Sequence, residues 1–412
     1  MMSGARGNSA RVLSRSFSSH RLVAKYVALD ASRILVPGLI EWDANGRIVA
    51  LRRARSAQAR EALDVAVLPG LVNAHAHLQI DALPAAERRF LPWVGAVMKA
   101  REGVTTAAHR RQAKQSMREL LQSGTTAIGE IDSTGNTTAA LRTLPMAGRC
   151  YREVTGFHLM QREARHLVRE RMPDATTSML PGLSPHAPYS VSPDLMRAAA
   201  AATRNLAIHC AEVPEEQQFL RQGTGAFANL LHRLGRMPKD FVAPGCGAVR
   251  WLERLGVLRV GTQLVHCQEL ERGDAGRIAA AGATIAVCPG TIDYFGRTPP
   301  PVAQWLRRGI PVALGTDSRA SNRGVSMRQE LARAAELWPE LRLEELFAMA
   351  TVCGGKALNG PFGSLRRGRR ADFVVVPASG SWSETLAGFV RDETPLMAVV
   401  LAGVAHRQAA RR

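Results

Sequence analysis

The stretch "LPGLVNAHAHLQI", Leu68–Ile80, decides the fold. Two histidines, His75 and His77, stand one residue apart in an apolar run that continues into Gln79 and Asp81. Side chains alternate along a strand, so residues i and i+2 face the same way. A strand ending in this pattern presents both imidazoles to one side, where they can grip one cation. The competing reading is a pair of satisfied core histidines. What the other strands bring to the same place decides between the two.

With "VAVLPGLVNAHAHL" as the first, eight short apolar strands can be read. The others are "TTAIGEID", "YREVTGF", "GLSPHAPYS", "LAIHCAE", "TQLVHCQ", "ATIAVCPG" and "PVALGTDS". Helical segments such as "AAHRRQAKQSMRELLQSG" and "SPDLMRAAAAATRN" lie between most of them. Several end in Gly just before the next strand, as helix C-termini do. Eight β/α units in about 250 residues predict an α/β fold, a (β/α)8 TIM barrel over residues 67–363. A doubly wound open sheet is the alternative, but no Gly-rich phosphate loop follows the first strand. Before the barrel, "RLVAKYVALDASRILVPGLIEWDANGRIVALRRA" reads as short strands with an Asn-Gly hairpin turn. After it come two helices, in "SMRQELARAAEL" and "RLEELFAMATVCGGKALN", and then strands in "ADFVVV" and "MAVVLAGVAHR". These flanks, residues 20–66 and 364–412, are expected to pair into one small composite β-sandwich domain. Residues 1–19 form a basic tail.

The chain has 412 residues, 46% of them hydrophobic, enough for a large domain with a small one. No run approaches 18 apolar residues, so no membrane span is expected. Lys and Arg number 54 against 35 Asp and Glu, for a formal charge of +19. Only five are lysines, and the arginines are scattered with no base-stacking motif among them. Compositional bias accounts for that better than nucleic-acid binding. Six widely spaced cysteines without a CxxC pair suit free thiols in a reducing cytoplasm. The first 25 residues are rich in Arg and Ser and lack acids. A disordered tail, an upstream start codon and a transit peptide all fit them.

In a barrel of this kind, functional side chains project from the C-terminal ends of the strands. His75 and His77 end the first strand, His186 the fourth, His209 the fifth, His266 the sixth and Asp317 the eighth. The other histidines, His20, His109, His158, His166, His232 and His406, fall on helices, tails or loops. The convergence at one rim favours metal over core histidines.

The set "HAH", then "H", then "TD" resembles the amidohydrolase superfamily of metal-dependent hydrolases. "LPGLVNAHAHL", "GTTAIGEID", "SPHAPYS", "HCAE", "VHC" and "ALGTDS" match its landmarks in order. "GSLRRGRRADFVVV" is similar to its closing G-x-L-x-x-G-x-x-A-D signature. The resemblance covers nearly the whole chain. It implies that His75, His77, His209 and Asp317 ligate one divalent metal, zinc first and Fe2+ as the alternative. Many relatives hold two metals through a carbamylated lysine on the fourth strand. "GLSPHAPYS" has no lysine, so a single-metal site is expected. Such a ligand set leaves room for a water, whose pKa zinc lowers toward about 7.

Within the superfamily, "SPHAPYSVSP", "HCAEVPEEQQFLRQGTGAF" and "GTDSRASNRGVSM" resemble adenosine, S-adenosylhomocysteine and aminodeoxyfutalosine deaminases and the related chlorohydrolases. That branch implies that Glu212, three residues after His209, shuttles protons; the plainer reading is an acid at a helix start. It implies that His266 polarises or hydrogen-bonds the substrate and that Asp317 also orients or deprotonates the water. His186 and Tyr189 are the best substrate contacts. Trp93 and Arg101 line the mouth, or else serve helix packing and a solvated charge. Glu130 and Glu153 face the site, or else form structural ion pairs.

There are departures from the branch. Relatives often read "HLE" where this chain has "HLQ", so Gln79 removes a negative charge at the mouth. Relatives tend to show "CPRS" or "CPRT" where this chain has "CPGTIDYFGR". Gly290 gives up an arginine-like contact there, while Asp293 and Arg297 bring others. The reaction implied is attack of a metal-activated hydroxide on the C–NH2 carbon of an aminopurine nucleoside or related heterocycle, with loss of ammonia. A chlorohydrolase acting on another heterocycle and a non-catalytic barrel-scaffold binding protein are the alternatives. Retention of His75, His77, His209, Glu212, His266 and Asp317 speaks against the last. The expected partner is a small-molecule substrate, with a homodimer as the assembly and no nucleic acid or membrane involved.

Overall fold

The chain changes sheet at Gly70, inside the stretch that was read as one barrel strand. The structure is a computed structural model that describes residues 17, 19–83, 85–141, 143–176 and 178–407. The expected basic tail lies outside the described residues apart from Phe17 and Ser19, and so do residues 408–412. A mixed sheet takes β1 (Arg21–Ala28), β2 (Ile34–Leu35), β3 (Gly38–Trp42), β4 (Ile48–Arg53) and β5 (Leu63–Pro69). The barrel takes β6 (Leu71–Ala76), β7 (Thr125–Asp132), β8 (Ala147–Val154), β9 (Met179–Pro185), β10 (Leu206–Cys210), β11 (Thr262–His266), β12 (Thr284–Val287) and β13 (Val312–Leu314). The chain then returns to the mixed sheet with β14 (Phe373–Pro377), β15 (Ala398–Leu401) and β16 (Val404–Arg407).

Between β5 and β6, the Gly70 amide donates to Asp372 O in the C-terminal segment, while Leu71 N donates to Gly124 O just before β7. A Cβ at position 70 would collide with the Thr126 side chain. Gly70 is therefore the joint between the two sheets, three residues past the expected start of the barrel at Val67.

The mixed sheet runs in the order β16-β15-β14-β5-β1-β3-β4, with β2 beside β1. Its two ends meet. Ala371 N donates to Gly46 O (2.8 Å), Ile48 N to Arg369 O (2.9 Å) and the Trp42 indole N–H to Gly403 O (3.0 Å). One sheet thus folds over on itself, sandwich-like, around a core that includes Leu22, Ile40, Trp42, Val67, Phe373 and Val400. The expected Asn45-Gly46 turn joins β3 to β4. "MAVVLAGVAHR" is two strands rather than one. Ala402 and Gly403 both have positive φ (51° and 80°), the condition a tight two-residue hairpin turn requires. His406 consequently sits on β16, opposite Val399, and not in a tail or loop. The C-terminal segment also serves the barrel. Its helix Trp382–Val390 sends Leu386 and Phe389 into the barrel's core cluster, with Phe389 edge-on to Phe347.

The eight barrel strands are parallel neighbours in chain order. Every residue of β7, β10 and β11 is buried, as strands covered on both faces require. Local signals set the helices between them. Before Pro193–Ala202, the Ser192 hydroxyl accepts from Leu195 N (3.1 Å), Pro193 fills the first turn, and Leu195, Met196, Ala199 and Ala200 form the buried stripe. "RLEELFAMATVCGGKALN" breaks at Thr351 into Leu343–Met349 and Val352–Ala357, and Gly354 lets the second piece lie close against Val72 of β6. No helix among the described residues is long and apolar enough to cross a membrane.

The barrel closes between its first and last strands through backbone beyond β13. His75 O accepts from Thr316 N (3.0 Å) and Asp317 N (3.1 Å), and His77 N donates to Asp317 O (3.3 Å). Asn73, fully buried, straddles this seam. Its Oδ1 accepts from Thr316 N (3.1 Å) and His75 N (3.3 Å), and its Nδ2 donates to Thr316 Oγ1 (2.8 Å). Asn73→Ala should cost about 2–4 kcal/mol, because buried groups on both strands lose partners. Urea unfolding would measure this, and a loss below about 0.5 kcal/mol would show that the seam does not depend on Asn73.

Candidate metal centre and active site

Four strand ends converge above the seam. His75 is the penultimate residue of β6 and His77 follows the strand; His209 is the fourth residue of β10; Asp317 lies just past β13. The ligand atoms of His75, His77 and His209 lie within 4.8 Å of one another. Asp317 Oδ1 is 3.7 Å from the Nε2 atoms of both His75 and His77. His77 Nε2 and His209 Nε2 are 3.3 Å apart. All four residues are buried. Both ring nitrogens of His75 and Nδ1 of His77 are buried without a hydrogen-bond partner. Each such orphan costs about 1–3 kcal/mol. The donor set therefore fits a divalent cation, which would occupy lone pairs that nothing else satisfies.

Neighbouring groups fix the ligands. His209 Nδ1 donates to His186 O (2.9 Å), which leaves its Nε2 lone pair for a metal. Asp317 Oδ2 accepts from Ser321 Oγ (2.8 Å) and Thr291 Oγ1 (3.1 Å), which leaves Oδ1 toward the histidines. Burial lowers His77 and His209 well below the ordinary imidazole range, and the clustering of imidazoles reinforces it. Both are therefore neutral and able to coordinate. Burial acts to raise Asp317, but the surrounding imidazoles of His75, His266 and His77 hold it well below the usual carboxylate range. Four of the eight non-glycine residues with positive φ among the described residues lie here: Ala211 (50°), His266 (72°), Cys267 (53°) and Asp317 (55°). Such geometry costs of order 1–3 kcal/mol per residue and turns side chains where a regular strand could not.

Glu212 and His266 stand beside the ligands. Glu212 Oε2 is 3.8 Å from His266 Nε2, and Glu212 Oε1 is 3.3 Å from Arg297 Nη1. Burial raises Glu212 and Arg297 opposes it, leaving the carboxyl at about 6. Burial presses His266 down to about 3, so it is neutral. Together with His77, His209 and Asp317 these groups line a cleft of about 390 Å³. Phe90, Trp93, Tyr189 and Phe227 supply aromatic wall, and Met98 and Leu234, 45% and 40% exposed, mark the opening. Tyr189 stacks on Phe227 at 3.9 Å, and burial keeps its phenol protonated.

Most of the residues singled out from the sequence meet here. His186, Tyr189, Trp93, Arg101 and Glu153 all line the cleft. Three do not. Gln79 turns away from it: its Nε2 donates to Ile131 O (3.2 Å) and Ser133 Oγ (3.0 Å), and its Oε1 accepts from Thr137 Oγ1. It braces the end of β7 and the turn after it, and its own amide is turned away from the mouth. Glu130 is fully buried, accepting from Leu78 N (3.0 Å), and burial raises it well above the usual carboxylate range. It holds the backbone just after His77. Asp293 pairs outside the cleft with Arg333 (2.8 Å). At Gly290 a Cβ would meet the Asn322 amide, so a larger residue there requires that amide to move. Thr291, Ser321 and Glu216 also serve the site without a signal in the sequence, because their roles depend on contacts tens of residues away or on a backbone partner.

The fold and site define a metal-binding hydrolase barrel. The chain belongs to the amidohydrolase family, whose profile matches residues 66–403. It is similar to aminodeoxyfutalosine deaminase of Deinococcus radiodurans, at 30% identity over 77% of this chain and 79% of the relative. It is similar to 5-methylthioadenosine/S-adenosylhomocysteine deaminase of Pyrococcus abyssi, at 27% identity over 82% and 80%. Among solved structures, Helicobacter pylori aminofutalosine deaminase in complex with methylthio-coformycin shares the fold, with TM-score 0.81, 19% identity, and coverage of 94% of this chain and 100% of that one. So does atrazine chlorohydrolase from Arthrobacter aurescens complexed with zinc, with TM-score 0.76, 22% identity, and coverage of 93% and 94%.

Glu216 supports the site from behind. It is fully buried, and its Oε2 accepts from Glu212 N (2.9 Å). Burial pushes it up to about 8 from an ordinary 4.5. The folded state therefore holds this proton more tightly than the unfolded chain, and the stability so gained is lost as pH rises from about 4.5 through 8. Glu216→Gln cannot ionise. Its melting temperature relative to the parent should rise by several degrees between pH 6 and pH 9. An unchanged difference across that range would show that Glu216 does not titrate in the fold.

Proposed function

We propose that this protein is a metal-dependent hydrolytic deaminase acting on the exocyclic amine of an aminopurine nucleoside or a related heterocycle. The relatives named as aminodeoxyfutalosine and 5-methylthioadenosine/S-adenosylhomocysteine deaminases support the substrate class. The observation that carries the reading is the buried Glu212 carboxyl, poised near 6 beside three clustered imidazoles. Replacing an amine requires a group that takes a proton from water and delivers one to nitrogen, and a carboxyl near 6 does both at neutral pH. A halide leaving group needs no such delivery.

His75, His77, His209 and Asp317 would hold the cation, zinc on this reading. When bound, it lowers the pKa of a water toward about 7 and polarises the reacting centre. Glu212 accepts the water's proton at Oε2, since Arg297 holds Oε1. It then protonates the amine nitrogen as the C–O bond forms and the C–N bond breaks, and ammonia leaves. His266, neutral, hydrogen-bonds the heterocycle near the reacting carbon. Asp317 Oδ1 orients the water. The aromatic walls take the nucleoside's flat and apolar parts. Six free cysteines support a cytoplasmic setting.

Purified protein should contain about one divalent ion per chain by elemental analysis. An ammonia-release screen over aminopurine nucleosides, pterins, triazines and cytosine should find its best substrate among the nucleosides. His209→Ala should lose metal and activity together. Glu212→Gln should keep its metal and lose roughly 100-fold or more in kcat. In the parent, kcat/KM should fall below about pH 6 as Glu212 takes up a proton. Normal amine turnover by Glu212→Gln would remove the proton-shuttle assignment, and release of chloride without ammonia would point to the chlorohydrolase branch.

A further inference from the structure

Arg297 sits in an unusual cage. It follows the helix Pro289–Phe295 and a left-handed Gly296 (φ 63°), and its own N–H donates back to Ile292 O (2.9 Å). Its side chain is only 15% exposed. Nη1 reaches Glu212 Oε1 at 3.3 Å, while Nη2 is buried with no hydrogen-bond partner. What holds the guanidinium otherwise is aromatic: its carbon lies 4.5 Å from the centre of the Phe295 ring and 5.3 Å from that of Phe90. Attraction to ring faces orients a planar guanidinium, and a lysine cannot reproduce both the stack and the fork.

Phe90 is the first residue of the helix Phe90–Arg101, which the long loop after β6 lays beside the cleft. Trp93 of the same helix stacks on Phe90 (5.7 Å) and meets Phe295 edge-on (5.4 Å). The Trp93 indole N–H donates to Ala320 O (2.8 Å), three residues past Asp317. The helix is thereby tied to the loop beyond β13 and to the arginine on Glu212.

We propose that Arg297 is a positioning residue that transmits the seating of the helix Phe90–Arg101 to the Glu212 carboxyl. With the helix in place, two ring faces fix the guanidinium, Oε1 of Glu212 is occupied, and Oε2 is the oxygen presented to the reacting groups. The proposal rests on Glu212 as proton carrier. It goes further in making the cleft helix part of how that carboxyl is aimed. A purely structural ion pair would be felt in stability or metal content; this arrangement is felt in turnover.

The test uses metal-loaded full-length enzyme and ammonia release from whichever of adenosine, 5′-deoxyadenosine and 5′-methylthioadenosine the parent turns over fastest. Arg297→Met should lower kcat about 10- to 100-fold with KM within about threefold and metal content unchanged. Phe90→Leu should lower kcat by about 3- to 10-fold, and should add little in the Arg297→Met background, since both act through one link. Arg297→Lys should recover part of the rate and fold normally. In the Glu212→Gln background, Arg297→Met should have no further effect. Parental kcat in Arg297→Met, a loss confined to KM or metal content, or fully multiplicative effects of the Phe90 and Arg297 variants would overturn the proposal while leaving Glu212 as proton carrier. Normal turnover by Glu212→Gln, or no ammonia from any of the three nucleosides with the parent, would instead overturn the functional reading and this proposal with it.

Discussion

The peptide groups of Thr316 and Asp317 hold the barrel shut. Its first and last strands share no regular ladder, and three hydrogen bonds between this backbone and that of His75 and His77 span the gap. Three of the four residues that make those bonds, His75, His77 and Asp317, also bring side chains to the candidate metal centre, so closing the barrel and assembling that centre use the same backbone. Asp317 reaches the seam only through a left-handed backbone (φ 55°), a conformation that persists because its surroundings over-determine it. Unpartnered imidazole nitrogens add to what the folded chain must carry without a cation. A cation bound only to the folded state would offset both and would tie the first strand to the last.

Around that centre the buried charges are balanced in pairs. Burial by itself would leave Glu212 protonated and idle as a base at neutral pH. Arg297 pulls the other way, and the two together leave the carboxyl able to lose and regain a proton. Glu216 sits below it, holding the Glu212 amide while its own proton stays on at neutral pH. Two acids four residues apart thus do different work. One is open to the cleft and restrained by a cation; the other is sealed under it.

The parts legible in the sequence were those governed by local periodicity. Alternation along a strand brought His75 and His77 to one side, and the strand-end rule gathered His186, His209, His266 and Asp317 at the same rim. The Asn45-Gly46 turn and the helix starting at Pro193 were likewise written in short motifs. What could not be read depended on approach across the fold. Gly70 changes sheet because Thr126 lies against it. Ala402 takes a positive φ that its residue type does not advertise, and so splits a strand in two and moves His406 onto a ladder. Gln79 looked like a mouth residue by its place after the histidines. The end of β7, the loop after it and the start of the next helix offer it three partners, and it faces them.

One close contact bears on how this site could change over generations. A Cβ at Gly290 would run into the Asn322 amide, and Asn322 in turn joins Thr316 O to the buried Glu330. A side chain added at 290 must push that amide aside, at the expense of its hydrogen bonds to Thr316 O and Glu330. Shortening 322 loosens backbone next to a metal ligand. Positions 290 and 322 are therefore coupled, and a bulkier residue after β12 changes what Asn322 can hold. What that wall can become is a property of the two residues together, as much as of the chemistry any single substitution would provide.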